Sequence, residues 1–132
     1  MSIAPGLGKA VIEPHEYKVE VPCERFILVF TEYPIRVAKR LMVNVESVSL
    51  HAPTLDSIKG IYEGVEVCIT RLYFGAPVSV IALELLIAAG AKNFIVVGMA
   101  GSLHPRLRIG DILIPTWGRN IYEGSLGWFK FF

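Results

Sequence analysis

The sequence predicts an α/β fold, and three observations carry that expectation. Residues 26–30 (FILVF) and 94–97 (FIVV) are uncharged and continuous rather than alternating, the mark of strands buried on both faces. A long apolar stretch, residues 77–90, separates a hairpin-like segment from the second of these runs, at the spacing of a right-handed βαβ crossover. The second run then breaks into Gly98-Met99-Ala100-Gly101, where two glycines let the backbone turn tightly and approach a ligand closely. A polar loop, Gly110-Asp111 and the apolar run Ile112-Leu113-Ile114, read as a further strand ending at Pro115, complete the pattern. Such an order is expected of a small-molecule site at the end of an α/β sheet.

With 132 residues there is room for one domain and one sizeable core. The chain is 53% hydrophobic and 19% charged, with a mean hydropathy of +0.52. That is too apolar for disorder and high for a globular chain. The surplus fits a membrane protein, a large buried subunit interface, or a fragment without the partner of its core. A membrane span needs about 20 apolar residues, and the best candidate, residues 72–91, is interrupted by Gly75, Pro77, Glu84 and Gly90. It is read as a buried helix with its entry turn. No basic n-region followed by an apolar h-region opens the chain, so a soluble, cytoplasmic protein is expected. The net charge of +1 gives no general bias toward nucleic acid or anionic lipid. Cys23 and Cys68 can pair once, but each has apolar neighbours, and buried reduced thiols are the expected state.

Taken in order, residues 1–25 are rich in Pro and Gly and read as an extended arm or edge strand containing His15. Residues 26–30 form the first interior strand, which Thr31-Glu32-Tyr33-Pro34 ends. A helix is expected over residues 35–42, with Pro34 tolerated in its first turn. Arg36 would lie in that same turn, where free N–H groups and the positive end of the dipole favour an anion; the plain alternative is a surface arginine. Residues 43–50 alternate weakly. Residues 58–70 read as a hairpin turning at Glu63-Gly64, with Val65, Val67 and Ile69 on one face and Glu66, Cys68 and Thr70 on the other. Arg71 continues the apolar face, either reaching outward or pointing into a polar pocket. Gly75-Ala76-Pro77 starts the next helix and Gly90 stops it. With only Ser79 and Glu84 interrupting it, this helix should be packed on nearly all sides. The chain closes on Trp128-Phe129-Lys130-Phe131-Phe132, an apolar ending expected either to tuck into an interface or to mark a displaced end of the reading frame.

Several signatures are absent. No Cys/His cluster has metal-ligand spacing. There is no phosphate-binding G-x-x-x-x-G-K-[ST], no G-x-S-x-G elbow, and only G-x-x-G where a dinucleotide site needs G-x-G-x-x-G.

Residues 75–115, GAPVSVIALELLIAAGAKNFIVVGMAGSLHPRLRIGDILIP, resemble the N-terminal half of the nucleoside phosphorylase family. That family includes uridine phosphorylase, hexameric purine nucleoside phosphorylases, methylthioadenosine phosphorylase and related nucleosidases. Its pattern runs G-x-G-x-P-S after a strand, a helix ending L-G-A, then a strand into G-T-x-G-x-L and G-D-[IV]-[VIL]. FILVFTEYPIRV resembles the family's phosphate loop, and the EGS at residues 123–125 its D/E-G-x-S segment. The resemblance implies a three-layer αβα fold with a mixed central sheet, of phosphorylase/hydrolase type and truncated. It divides the chain into an arm (residues 1–25), a family-like core (26–125) and an atypical aromatic tail (126–132).

By the same resemblance, the reaction is metal-free phosphorolysis of the N-glycosidic bond of a purine or pyrimidine nucleoside. Inorganic phosphate is the co-substrate and no cofactor is expected. Arg36 matches the phosphate-loop arginine; Met99, Ala100 and Gly101 match the turn lining phosphate, sugar and base. His15 matches the histidine that some members lend to a neighbour's ribose. Arg71, which no family motif places, is a second candidate for phosphate. The sequence departs from the pattern at Glu32, where the phosphate loop has glycine, at Val96, where it has arginine, and at Met99, where it has threonine. The family's second half, which holds the ribose hydroxyls and grips the base, has no counterpart here. The expectations therefore stand as a phosphorylase, a hydrolytic nucleosidase of the same fold, or an inactive remnant acting through association. The expected partners are a nucleoside, phosphate and further copies in a dimer or hexamer, with neither nucleic acid nor membrane.

Overall fold

The apolar run near residue 26 becomes the strand around which the sheet is built. In the computed structural model, which describes residues 21–115, 117–119 and 128–130, β1 (Arg25–Val29) pairs in parallel with a strand on either side. Phe26, Leu28 and Val29 are all buried. Along the chain follow α1 (Glu32–Leu41), β2 (Val43–Ser47), β3 (Thr54–Tyr62), β4 (Val65–Leu72), α2 (Ala76–Ala88) and β5 (Asn93–Val97). The sheet order is β2-β3-β4-β1-β5. The pairs β2·β3 and β3·β4 are antiparallel, so the sheet is mixed.

Alternation along β1 feeds two cores. Phe26 and Leu28 point to the same side as Cys68 and Leu72 of β4, where Ala82 and Leu86 of α2 cover them. Val29 points to the other side with Ile58 and Ile69, under Ile35 and Ala38 of α1. One helix therefore lies on each face, the three-layer αβα arrangement that the sequence predicts. Gly60 on β3 faces the α1 layer, and a Cβ there would lie 2.9 Å from Met42 Cε, so the glycine makes room for that side chain.

The hairpin forms where expected. Glu63 and Gly64, both at positive φ, make the two-residue turn between β3 and β4. The helix after Gly75 also forms, and Gly90 at φ 107° ends it.

Other expectations are corrected. α1 begins at Glu32, not at residue 35, because Thr31 in extended conformation already serves as its N-cap and Pro34 fits inside the first turn. β5 is not buried on both faces: it is the sheet edge, pairing only with β1 among the described residues, and Ile95 and Val96 are 62% and 61% exposed. α2 buries only Ala82 and Leu86 and leaves Val80, Ile81 and Ile87 exposed, because a single layer of sheet faces it. Ile112-Leu113-Ile114 is not in a strand, and Ile112 is 91% exposed. Gly98 and Gly101 do not adopt positive φ, and a Cβ at Gly101 would meet nothing within 4 Å. Cys23 and Cys68 are not free thiols but joined in a disulfide, with Cα atoms 6.2 Å apart. The segment before β1 carries Cys23 over β4, and Cys68 faces the same layer, a juxtaposition made by strand order and not by local sequence. Closing a loop of this length stabilises by about 4 kcal/mol in the chain-entropy picture.

The chain divides into two compact units, one ending at Met99 and the other beginning at Ala100. In the second, Arg108 N–H donates to Asp111 Oδ2 at 2.7 Å and Asp111 N–H returns to Arg108 O at 3.1 Å, closing a turn at Gly110. Short strands β6 (Trp117–Arg119) and β7 (Trp128–Lys130) pair antiparallel.

The start of β1 is tied to the start of β5. Glu24 O accepts from the backbone N–H groups of Lys92 (2.8 Å) and Asn93 (3.1 Å), and Lys92 Nζ donates to Glu24 Oε1 at 2.5 Å. The hydrogen bond and the charge of Lys92 hold the Glu24 carboxyl below its usual value of 4.5. A depressed carboxyl stabilises the fold above its unfolded value, and that contribution disappears as pH falls through the lower folded value. Glu24→Gln is therefore expected to lower the urea midpoint at neutral pH, with the gap to wild type closing as pH drops below 4.5. Leu28→Ala, in the central strand, is expected to cost about 2–5 kcal/mol in urea unfolding at any of these pH values.

Candidate functional site

The three parallel strands β1, β4 and β5 end at one edge of the sheet, and both helices start from that edge. Thr31 caps α1 directly after β1, and Gly75, at φ 119°, leads into α2 two residues after Tyr73. Ligands of open α/β sheets bind beyond the carboxyl ends of the strands, where loops diverge and helix N-termini present free N–H groups. The sequence predicts its site here.

On the α1 side of this edge lies a cavity of about 900 Å³, within the range of small-molecule pockets. Its floor is Ile27, Val29 and Ile69, and its walls come from α1, Tyr62 and Phe74. Phe30 and Thr31 close it after β1, and Val97, Gly98 and Met99 after β5. Phe30 and Phe74 stack with ring centroids 5.9 Å apart. Among the described residues the only polar side chains lining it are Thr31, Tyr33 and Tyr62, and no charged side chain does so. Such a wall can stack a planar ring and exclude water; charge must be supplied from its margin.

Arg71 does not line the cavity but lies one rung beyond its floor on the same sheet face. It occupies the last regular rung of the β3·β4 ladder, opposite Asp56, and pairs on its other side with Val29 of the cavity floor. Its Nη2 makes an ion pair with Asp56 Oδ2, and its Nε is buried with no hydrogen-bond partner among the described residues. Of the two alternatives left by the sequence, an outward reach or a polar pocket, the structure shows a half-buried ion pair.

Arg36 is placed differently. Because α1 starts at Glu32, Arg36 begins the second turn, not the first, and the free N–H groups belong to the residues before it. Its side chain is 64% exposed and lies 4.0 Å from Glu32 Oε1. Met99 lines the cavity and is exposed. Ala100 and Gly101 follow in the second unit, exposed and outside any helix or strand. His15 lies outside the described residues, as does the EGS at 123–125. The structure brings Arg71 and Met99 to the same strand edge and leaves Arg36 on the solvent face of its helix.

Three contributors were not singled out from sequence. Phe30 and Phe74 read only as ends of apolar stretches, although Phe74 stands beside the Gly75-Ala76-Pro77 signal. Asp56 carried no signal, since nothing in a single sequence sets it opposite Arg71. Among the described residues no group of three or more His, Cys, Asp or Glu is placed to hold a metal ion, and no helix is long and apolar enough to cross a membrane.

Comparison with known proteins bears on the family and the fold. A uridine phosphorylase from Thermococcus kodakarensis is 44% identical over 55 residues, 42% of this chain and 20% of that protein. The crystal structure of uridine phosphorylase from Vibrio fischeri ES114 superposes with a TM-score of 0.62 at 25% identity, covering 73% of this chain and 44% of that one. The same enzyme complexed with 6-hydroxy-1-naphthoic acid gives 0.54 at 28% identity, covering 68% and 35%. A purine nucleoside phosphorylase from Toxoplasma gondii in complex with immucillin-H gives 0.55 at 22% identity, covering 75% and 40%, a likeness of fold. The chain thus spans less than half the length of these relatives. The family model of the phosphorylase superfamily matches residues 24–129, and with the mixed sheet and strand-edge site already described, the chain belongs to that superfamily.

Proposed function

We propose that this chain supplies the strand-edge half of a nucleoside site at which inorganic phosphate cleaves the N-glycosidic bond of a purine or pyrimidine nucleoside. The observation that carries the reading is the junction of an apolar, aromatic cavity with an arginine on the neighbouring rung of the same sheet face. The cavity suits a planar base and the face of a sugar; Arg71 suits an anion beside them. Arg36 is the second phosphate ligand in this reading, reached when its guanidinium leaves Glu32. Met99, Ala100 and Gly101 form the nucleoside turn, and His15 the contribution to a neighbouring copy. Uridine is the first substrate to test, because the relatives named above at 44%, 28% and 25% identity are uridine phosphorylases.

The chemistry assigns each group a task. A phosphate oxygen donates its electron pair to C1′ as the bond from C1′ to the base nitrogen breaks. That bonding pair leaves on the base, which takes up the proton that hydrogen phosphate gives up; the products are the free base and ribose 1-phosphate. Positive charge grows on the ribose ring as the bond stretches, so a phosphate held close to C1′ both stabilises that charge and captures it. Arginine is suited to hold the phosphate because its planar fork meets two oxygens at once. The apolar walls keep water from competing for C1′.

Hydrolysis is the second reading, favoured by Val96 and Met99, which put apolar side chains where the family pattern has arginine and threonine. Release of base from uridine and inosine, followed by chromatography with and without phosphate, separates the two. Phosphate-dependent release is expected. Release indifferent to phosphate would establish the nucleosidase, and no release from either nucleoside would leave an inactive associating chain. In an active protein, Arg71→Met is expected to lower kcat/KM for phosphate by about 10–100-fold, the worth of one hydrogen bond to a charged group.

A further inference from the structure

The guanidinium assigned to phosphate is already engaged. Asp56 on β3 and Arg71 on β4 face each other on the last rung before the β3·β4 register shifts, with Leu55 the extra residue. Bulges of this kind bend the strand and re-aim its side chains, and one further pair, Thr54 with Leu72, follows this one. The two partners are unequally held: the Arg71 side chain is 26% exposed and the Asp56 side chain 49%. The arginine is mostly covered and lies beside Val29 in the sheet, whereas the aspartate stands at the wetter end of the rung. The ion pair also leaves Arg71 underused, since Nε is buried and donates to nothing among the described residues. A tetrahedral oxyanion can accept from both Nη2 and Nε, which the single carboxylate oxygen in contact here does not do.

We propose that Asp56 is a built-in competitor for phosphate at Arg71. The carboxylate neutralises the guanidinium while no anion is bound, then swings into solvent when phosphate takes its place. It thereby sets the phosphate affinity of the site and screens out monoanions too weak to displace it. No covalent step is involved; one anion replaces another on the same cation. The proposal rests on Arg71 being a phosphate ligand, and its test is built to separate the two.

Inorganic phosphate is titrated into the full chain at low ionic strength by calorimetry, using wild type, Asp56→Asn, Asp56→Ser, Arg71→Met and the double variant Asp56→Asn/Arg71→Met. Circular dichroism checks that each is folded, and the serine variant serves if the asparagine one is not. Removing the carboxylate is expected to tighten phosphate binding about two- to fivefold, the range spanned by partly exposed ion pairs. Binding should be weakened in Arg71→Met, and the double variant should match Arg71→Met, since the competitor acts only through its arginine. A purely structural salt bridge predicts the opposite sign, because loosening the rung would weaken binding. Phosphate affinity unchanged or lowered in both Asp56 variants, with Arg71→Met still impaired, would overturn the proposal and leave the phosphate reading intact. Wild-type affinity in Arg71→Met would overturn the phosphate reading itself.

Discussion

Everything in the first unit depends on β1 being covered on both faces at once. A five-residue strand with no charge after Arg25 cannot sit at a wet edge without exposing apolar surface, and in the structure it does not. Its neighbours β4 and β5 run parallel to it, so the connections between them must cross a face of the sheet, and α1 and α2 do so on opposite sides. That one requirement places both helices, divides the core into two clusters, and gathers the ends of three strands at one edge. The site is a consequence of the same geometry: parallel strands deliver their carboxyl ends, and their loops, to a common place.

The apolar surplus in the composition has a visible location. It lies on the exposed flank of α2, on β5 at the sheet edge, on the cavity walls, and in the run from Ile112 to Ile114. The helix and β5 were expected from their sequence to be packed on both sides, and each has only one layer against it.

At the candidate site the divide between legible and illegible follows range of interaction. The helix start at Gly75 was legible because local backbone preferences mark it, whereas the glycines after β5 do not make the tight turn they suggested. Arg71 was legible as an arginine ending an apolar strand face, but its partner was not: Asp56 lies fifteen positions earlier, on another strand, with a bulge beside it. Arg36 shows the converse error. A boundary shift of one helical turn moved it from the anion-binding turn to a solvent-facing pair with Glu32. Such boundaries turn on a cap, here Thr31, whose backbone conformation is set by where β1 ends.

The sequence alone determined the elements with a local cause. These are the interior strand at 26–30, the hairpin at Glu63-Gly64, the helix bounded by Gly75 and Gly90, the α/β class, and the family its glycine and Gly-Asp spacing resembles. Only the tertiary structure decided the rest: that β5 is an edge, that α2 is covered on one side, that Cys23 meets Cys68, and that Asp56 meets Arg71. The physical reason is that turns, caps and periodicity act within a few residues, whereas burial and charge pairing depend on which strand lies beside which. Strand order is a property of the whole sheet, and no stretch of the chain carries it alone.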